Sequence, residues 1–317
     1  MFGKSIAFLK NWMLPIAMVT GASVYLILHY VPSFDEGGYM KTARTLQPVL
    51  ISVMLFLQLN VVAPGDLRLH RWHFELLGVQ AVLFVSFAFM TAGAAEGGGR
   101  ILLECAMLCF ICPTAAAAGV ITSKIGGSLP GIMTYTVLID FMAALLIPLM
   151  IPLVHPDAEL SFLAAFWGII RKVSAILVLP CVLAWTIRYT LPKLQMWLAR
   201  YVGWAFYVWG AGLVLAISLA TGALVGSGIS ALIALLIGVV SLFCCIFQFW
   251  LGRSVARGCG HSESLTAGQA LGQKNTGFLI WLGLSCMTPV TSVAGGLYAV
   301  WHNLVNSWEL YKARNGR

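Results

Sequence analysis

The feature that most constrains this chain is a succession of long apolar segments separated by short polar loops. About 20 apolar residues in a helix are enough to cross the hydrocarbon core of a bilayer. Only 9% of the residues are charged and 60% are hydrophobic, whereas charged residues make up about 25% of a soluble domain. So few charges cannot solvate a globular surface, and we predict an all-α membrane protein rather than a soluble enzyme.

We place ten transmembrane helices on these segments. The predicted spans are residues 12–30, 46–63, 74–93, 100–123, 129–154, 173–191, 203–224, 228–251, 263–285 and 287–307, with a short interfacial helix at 160–171. Lysine and arginine concentrate in the loops on the side of both termini, so the positive-inside rule predicts cytoplasmic termini and an inner (plasma) membrane protein. The net charge of +8 resides in these loops. It forms no basic stripe with interleaved aromatics, so no nucleic-acid partner is predicted.

Two of the spans, the fourth and the ninth, are interrupted. The first and sixth spans, the two interruptions, and the fifth and tenth spans are each offset by about 160 residues, half of the chain. Because five helices per half is an odd number, the halves must insert in opposite senses. The sequence therefore predicts one transporter domain, 1–317, built from two inverted five-helix repeats, 1–154 and 155–317, with broken helices 4 and 9 crossing.

The first interruption begins at Cys112 and Pro113 and extends to Gly119. Proline lacks a backbone N–H and clashes with the preceding turn of a helix, but it suits the first turn of a new one. The alternative is a proline kink in a continuous helix, which is common in membranes. A split would place Thr114 near the start of the second half-helix.

The second interruption puts Gln273, Lys274, Asn275 and Thr276 between two glycines inside an apolar span. Non-helical backbone is tolerated at that depth only where it faces protein or a water-filled cavity. An intramembrane charge is a functional-site hypothesis by default. The alternative, that Lys274 lies near the interface and snorkels to water, is disfavoured by its position near the middle of the span.

Both second half-helices are expected to begin at the interruptions, near Thr114 and Thr276. Helix N-termini present unpaired N–H groups and partial positive charge. Two opposed N-termini at mid-membrane suit an anion, and Lys274 adds a full positive charge.

Asp140 lies deep in the fifth span, and Lys274 is its candidate partner because a buried carboxylate usually has a cationic one. The alternative is an Asp140 that is protonated or hydrogen-bonded to Ser or Thr. Cys109 and Cys112 spell C-x-x-C, but in an apolar span they are expected to pack as small hydrophobes, with redox or metal binding as the less favoured alternative. No metal site and no cofactor are predicted.

The two interruptions also carry a resemblance to the bile acid:sodium symporter family, whose wider superfamily includes arsenite and auxin carriers and sodium/proton antiporters. Cys112 and Pro113 match the start of that family's Cys-Pro-Gly-Gly-Thr-Ala-Ser-Asn stretch, and Gly272, Asn275 and Gly277 match its Glu-x-Gly-x-Gln-Asn-x-Gly stretch. The resemblance implies a core domain of spans 3–5 and 8–10, and a panel of spans 1, 2, 6 and 7 that moves against it.

The sequence departs from this family at the sodium site. The family's Ser-Asn ligands correspond to Ala118 and Gly119, its Glu to Ala270 and its Gln to Lys274. Among the ligand-bearing positions, Asn275 and, in the fifth span, Thr136 remain. The resemblance therefore implies the fold without sodium coupling, and the ammonium of Lys274 could occupy the space that a sodium ion fills.

We expect a secondary active transporter of a small organic anion that works by alternating access. It is expected to be independent of sodium, with Lys274 standing in for the coupling cation or carrying a proton. The alternative is a non-transporting membrane receptor or sensor that keeps the binding crevice. An intramembrane enzyme is disfavoured because the chain has no His-Glu-x-x-His, no Gly-x-Ser-x-Gly and no carboxylate pair at catalytic spacing.

Overall fold

A computed structural model describes residues 2–115, 117–156 and 159–315, with side chains from residue 13 onward. These residues form thirteen α-helices and no β-strand. The helices are α1 (Phe2–Tyr30), α2 (Glu36–Leu59), α3 (Arg71–Ala92), α4 (Gly98–Ile111), α5 (Ala118–Lys124), α6 (Leu129–Val154), α7 (Phe162–Thr190), α8 (Pro192–Ala199), α9 (Ala205–Gly226), α10 (Ala231–Val255), α11 (His261–Gly272), α12 (Thr276–Cys286) and α13 (Ser292–Arg314).

Seven segments of the described chain are long and apolar enough to cross a membrane. They are Met13–Tyr30, Glu36–Leu59, Arg71–Ala92, Leu129–Val154, Phe162–Thr190, Val202–Gly226 and Ala231–Val255. This confirms the prediction of an all-helical, multi-pass membrane protein. The predicted fourth and ninth spans are each divided into two shorter helices, α4 with α5 and α11 with α12.

The separate interfacial helix predicted at 160–171 is wrong. Helix α7 begins at Phe162, with Ser161 as its N-cap accepting a hydrogen bond from the backbone N–H of Ala164, and continues without a break to Thr190. No proline lies near Arg171 and Lys172, and the helix continues through Gly168, so nothing in the local sequence ends the first turns. A short helix does occur after this span instead, as α8, which begins at Pro192.

The helices pack in two groups. Helices α1, α2, α7 and α9 contact one another through α1–α9, α2–α9 and α2–α7. The other group is held by α3–α4, α10–α11, α10–α13 and α12–α13 contacts, and its largest apolar cluster includes Phe84, Met107, Phe110, Phe249 and Phe278. The first group meets the second along α12, which contacts both α2 and α9, and along α6–α7. The junction between the two groups therefore lies beside the second interruption.

Small residues bring the helices of the second group close together. A Cβ atom at Gly252 of α10 would collide with the backbone of α11 at Ala267 and Gly268. Gly272, the last residue of α11, is in turn covered by the ring of Phe249 from α10. Such close backbone approach at small residues is typical of helix packing in membranes, where dispersion replaces the hydrophobic effect as the driving force.

Candidate functional site

The two interruptions lie directly against each other. The backbone N–H of Ala115 donates to the carbonyl of Gln273 over 2.7 Å, and the N–H of Asn275 donates to the carbonyl of Pro113 over 2.8 Å. Thr114 and Lys274 thereby form an antiparallel bridge. Each interruption removes backbone groups from a helix, and each supplies the partners that the other needs, which is how irregular backbone is tolerated at membrane depth.

Two side chains strengthen this crossing. The hydroxyl of Thr114 donates to the carbonyl of Ala270 over 2.7 Å, and the thiol of Cys112 donates to the carbonyl of Asn275 over 3.1 Å. Because Thr114 is extended in the bridge, α5 starts only at Ala118 and not near Thr114 as expected. Helix α12 does start at the expected Thr276.

The N-terminus of α12 is capped by the protein itself. The side-chain oxygen of Asn275 accepts a hydrogen bond from the N–H of Phe278 over 3.2 Å, and the N–H of Thr276 donates to the carbonyl of Lys274 over 3.0 Å. One of the two predicted anion-binding helix ends is therefore partly satisfied internally. Its remaining capacity for a ligand comes from side chains rather than from free backbone N–H groups.

Lys274 is buried at this crossing with a side-chain exposure of 1%. Among the residues that the structure describes, its Nζ has no hydrogen-bond partner. The thiols of Cys109, Cys112, Cys244 and Cys245 lie in its neighbourhood. The snorkelling alternative does not fit this geometry, because the amine points into protein and not to the surface.

Asp140 is buried too, with an exposure of 2%, and neither carboxylate oxygen has a hydrogen-bond partner in the described part of the chain. The expected ion pair between Asp140 and Lys274 is not formed, and a hydrogen bond from Ser or Thr to Asp140 is also absent from the described residues. Thr136, one turn before Asp140, donates its hydroxyl to the carbonyl of Ile132 within α6. The structure thus separates Asp140 and Thr136 from Lys274 as hydrogen-bonding partners.

Three consecutive residues at the crossing keep unpaired polar atoms. They are the side-chain oxygen of Gln273, the Nζ of Lys274 and the side-chain nitrogen of Asn275, each without a partner among the described residues. Gln273, Asn275 and Thr276 are all buried. Buried polar atoms are nearly always paired by protein, water or ligand, so this tripeptide offers an acceptor, a cation and a donor for binding.

The three positions that correspond to sodium ligands are apolar and packed. Ala118 and Ala270 are fully buried in one apolar cluster with Ile132, Tyr135 and Leu271. Gly119 is also buried, and a Cβ atom there would lie 3.0 Å from the side chain of Leu129. Hard cations need several oxygen ligands, and these three side chains supply none.

A small cavity lies between the crossing and the first helix group. Its volume is about 20 Å³, and it is lined by Leu50, Ile51, Met54, Val208, Trp209, Gly212, Leu213, Asn275 and Gly277. That volume holds about one water molecule. The amide of Gln47 in α2 closes one side by donating to the carbonyl of Gly277 over 3.0 Å. Helices α2 and α9 therefore rest directly on the start of α12.

Sequence reasoning missed the amides that brace the crossing. Gln80 donates to the carbonyl of Cys112 over 3.3 Å and accepts from the hydroxyl of Tyr135 over 2.7 Å. Gln248 donates to the hydroxyl of Tyr298 over 3.2 Å, and that hydroxyl donates to the carbonyl of Gly272 over 2.8 Å. The available signal was a glutamine within an apolar span, since polar side chains there hydrogen-bond across helices.

An all-helical chain with several apolar spans and two discontinuous helices that meet at their breaks is a multi-pass membrane protein of the kind found among secondary transporters. Residues 72–227 match the sequence model of the Sodium Bile acid symporter family. This match confirms the resemblance seen in the motifs, and members of the family are transporters and not enzymes. No curated protein matches the chain.

The matched region runs from α3 to the end of α9. It contains the first interruption, with Pro113 and Thr114, but not the second. Lys274 and the other polar residues of the second interruption therefore lie outside the part of the chain that the family match covers.

Proposed function

We propose that this protein is a secondary active transporter of a small organic anion, and that Lys274 takes the place of the coupling cation or carries a proton. The observation that carries the proposal is the buried Lys274 amine, which has no partner among the described residues and projects from the bridge between two broken helices. A fixed cation at such a place attracts an anion strongly because it lies in a low dielectric. Gln273, Asn275 and Thr276 would orient the ligand, with Thr114 holding the opposite strand of the crossing.

The proposal includes an architecture of ten spans. Helices α4 with α5, and α11 with α12, would each form one broken span, giving five spans in residues 1–154 and five of opposite orientation in 155–317. Both termini would then face the cytoplasm, and the inner (plasma) membrane would be the location. Repeats of this kind place the substrate near the bilayer midplane between discontinuous helices.

Transport would proceed by movement of α1, α2, α7 and α9 against the helices that hold the crossing. The cavity at this junction has room for about one water molecule, so an organic anion can reach Lys274 only when α2 and α9 separate from α12. Gln47 marks the contact that must break, since its amide joins α2 to the carbonyl of Gly277. Alternating access of this type is rigid-body motion around a fixed site.

The packing around the crossing supports sodium independence. The side chains of Ala118 and Ala270 pack in an apolar cluster and bring no oxygen atom to positions where the family has ligands. The carboxylate of Asp140 in α6 makes no hydrogen bond within the described part of the chain. A proton is the remaining coupling ion that Lys274 could exchange.

Ligand-induced thermal stabilisation of the purified protein tests this proposal. Cholate, benzoate, succinate and 2-oxoglutarate serve as probe anions, because a ligand at about 100 times its Kd stabilises the folded state by about 2.7 kcal/mol. We expect at least one probe to raise the unfolding temperature of the wild type in a pH-dependent manner between pH 6 and 8. Lys274→Gln, which keeps a polar side chain and removes the charge, should lose that response.

Lys124→Gln is the matched control because Lys124 is an exposed lysine at the end of α5. This variant should respond to the anion as the wild type does. An unchanged response of Lys274→Gln across this pH range would show that the buried amine binds neither anion nor proton, and would overturn the proposal.

A further inference from the structure

A line of buried polar side chains runs along one face of α13, away from the crossing. Tyr298, His302, Asn306 and Glu309 are spaced by one turn of the helix or slightly less, and all four are buried. A membrane helix normally packs an apolar or small-residue face against its neighbours. Four polar side chains on one buried face therefore call for a physical explanation.

The line begins beside Lys274. The hydroxyl of Tyr298 donates to the carbonyl of Gly272, the residue that ends α11 two positions before Lys274. Cys245 of α10, which acts electrostatically on Lys274, also interacts with Tyr298. The ring of His302 then packs edge-on against that of Tyr298, with centroids 5.8 Å apart.

The line ends at the surface beside the C-terminal half of α13. Gln269 of α11 donates to Asn306 over 3.0 Å and to Glu309 over 2.8 Å. The other carboxylate oxygen of Glu309 accepts a hydrogen bond from Arg253 of α10, whose side chain is 34% exposed. Polar groups at successive turns of α13 thus extend from the surface to the neighbourhood of the crossing.

Several polar atoms along this line have no protein partner among the described residues. They are one ring nitrogen of His302, the side-chain nitrogen of Asn306 and the side-chain oxygen of Gln269. They form a series of donors and acceptors that ordered water would satisfy, since a buried water typically makes about three hydrogen bonds. A purely structural network would be expected to pair its own members.

On the other side of Lys274, toward the start of α4, the neighbouring side chains are apolar. The side chains of α4 beyond the crossing, Phe110, Leu108 and Met107, belong to the main apolar cluster. The next charged group on α4 is Glu104, which is already engaged with Thr288 at 3.0 Å and with Arg100 at 3.5 Å. Polar continuity from Lys274 therefore exists toward the C-terminal end of α13 and not toward the start of α4.

We propose that this face of α13 is a water-lined proton path that connects Lys274 with the surface next to Arg253 and Glu309. His302 and Glu309 can each take up and release a proton, while Asn306 and Gln269 can only hold water by donating and accepting. A proton from bulk water passes to Glu309, along water to His302 and then to the Lys274 amine, and the reverse path releases it. The inference rests on the proposed function of Lys274 as a proton carrier.

The titratable and charged groups that face the path come from three helices besides α13. They are Arg253, Cys244 and Cys245 of α10, Cys109 and Cys112 of α4, and Lys274 after α11, in addition to Tyr298, His302 and Glu309 of α13 itself. Glu263 in the first turn of α11 is bound to the indole N–H of Trp72. Thiols pack as small hydrophobes, so Glu309 and His302 remain as the proton-exchanging groups between Arg253 and Lys274.

Hydroxyl-radical footprinting of the wild-type protein in lipid nanodiscs tests the path, because the radicals form from water next to the side chain that they oxidise. We expect Tyr298 and His302 to be oxidised several-fold faster than Tyr135 and His73. These controls have the same side chains and are fully buried, and Tyr135 is hydrogen-bonded to Gln80 as Tyr298 is to Gly272, but neither control lies on the polar face of α13. Both ring nitrogens of His73 have partners, whereas one ring nitrogen of His302 has none among the described residues.

Two variants locate the water. Asn306→Leu fills the middle of the path with an apolar side chain and should lower the oxidation of Tyr298 to the level of Tyr135. Asn303→Leu alters the same helix at a half-buried position whose side chain donates to the carbonyl of Ala299, and should leave the oxidation of Tyr298 unchanged.

If Tyr298 and His302 of the wild type are oxidised as slowly as Tyr135 and His73, the proposed path is overturned, whatever the variants show. Footprinting detects water and not transport, so its outcome is separate from that of the anion-binding test. If the α13 face is dry but Lys274→Gln loses the pH response, the proposed path is wrong and the proposed transport function stands. If the face is wet but Lys274→Gln responds as the wild type does, the proposed transport function is wrong.

Discussion

Replacement of Lys274 by methionine should stabilise the protein. The wild-type side chain is among the largest that are fully buried, and its amine has no partner among the described residues. An unpaired buried polar group costs about 1–3 kcal/mol, and more when it is charged. Methionine has a similar length and volume, fills the same space with its stem and removes the amine.

The expected gain follows from two opposing effects. Removal of the unpaired amine contributes at least about 1–3 kcal/mol, while an apolar swap of nearly equal volume costs less than about 1.5 kcal/mol in packing. A net gain of about 1–2 kcal/mol corresponds to an increase of about 2–8 °C in unfolding temperature for a domain of moderate size. Lys274→Ala also removes the amine, but it leaves a cavity that costs about 2–5 kcal/mol, so this variant should unfold below the methionine variant.

The buried cysteines provide the assay. Cys105, Cys109, Cys112, Cys244 and Cys245 are free and buried, so a dye that fluoresces on reaction with thiols reports their exposure as the protein is heated. Lys124→Met, at an exposed lysine, is the control and should not shift the transition. An unfolding temperature of Lys274→Met below that of the wild type would refute the reasoning, because it would mean that the amine makes a stabilising bond.

Three further outcomes are expected. Anion-induced stabilisation should be equal in sodium and choline buffers, and a steep sodium dependence would show that other oxygens replace the ligands lost at Ala118, Gly119 and Ala270. Asp140→Asn should leave the pH response of anion binding intact, as measured by thermal stabilisation, because Asp140 makes no ion pair with Lys274; a lost response would show that the two meet in another conformation. The exposed thiol of Cys259 should react with a membrane-impermeant maleimide from the cytoplasmic side of sealed vesicles, and reaction from the outside would contradict the proposed orientation.

The seven long apolar helices of the described chain and the positions of the breaks could be predicted because their signals are local. Apolar length defines the helices, Pro113 ends α4, and polar residues between two glycines end α11. The predicted helix at 160–171 failed for a local reason as well, because the charged residues Arg171 and Lys172 do not end a helix as proline does.

The pairing of side chains could not be predicted because it depends on residues far apart in the sequence. The bridge between Thr114 and Lys274 holds Thr114 in an extended conformation and delays the start of α5 to Ala118. The same bridge fixes the direction of the Lys274 side chain, which then has no bond to Asp140. The sequence identifies both charged residues, Lys274 and Asp140, but it does not show that the backbone holds them apart.

A lysine in the place of a sodium ion changes what can drive transport. A sodium ion that binds with the substrate leaves with it, and the energy of its gradient enters each cycle. In the proposed mechanism the ammonium of Lys274 neutralises charge at the crossing but is tethered to the chain, so the only part of it that can cross the membrane is its proton. Substrate binding can then be driven by an ion gradient only if that proton reaches water on a defined side, which is the role that we propose for the polar face of α13. If that face is dry, Lys274 cannot exchange its proton with water. The proposed transporter can then only equilibrate its anion across the membrane. Water beside His302 and Tyr298 therefore decides between active and passive transport by the same fold.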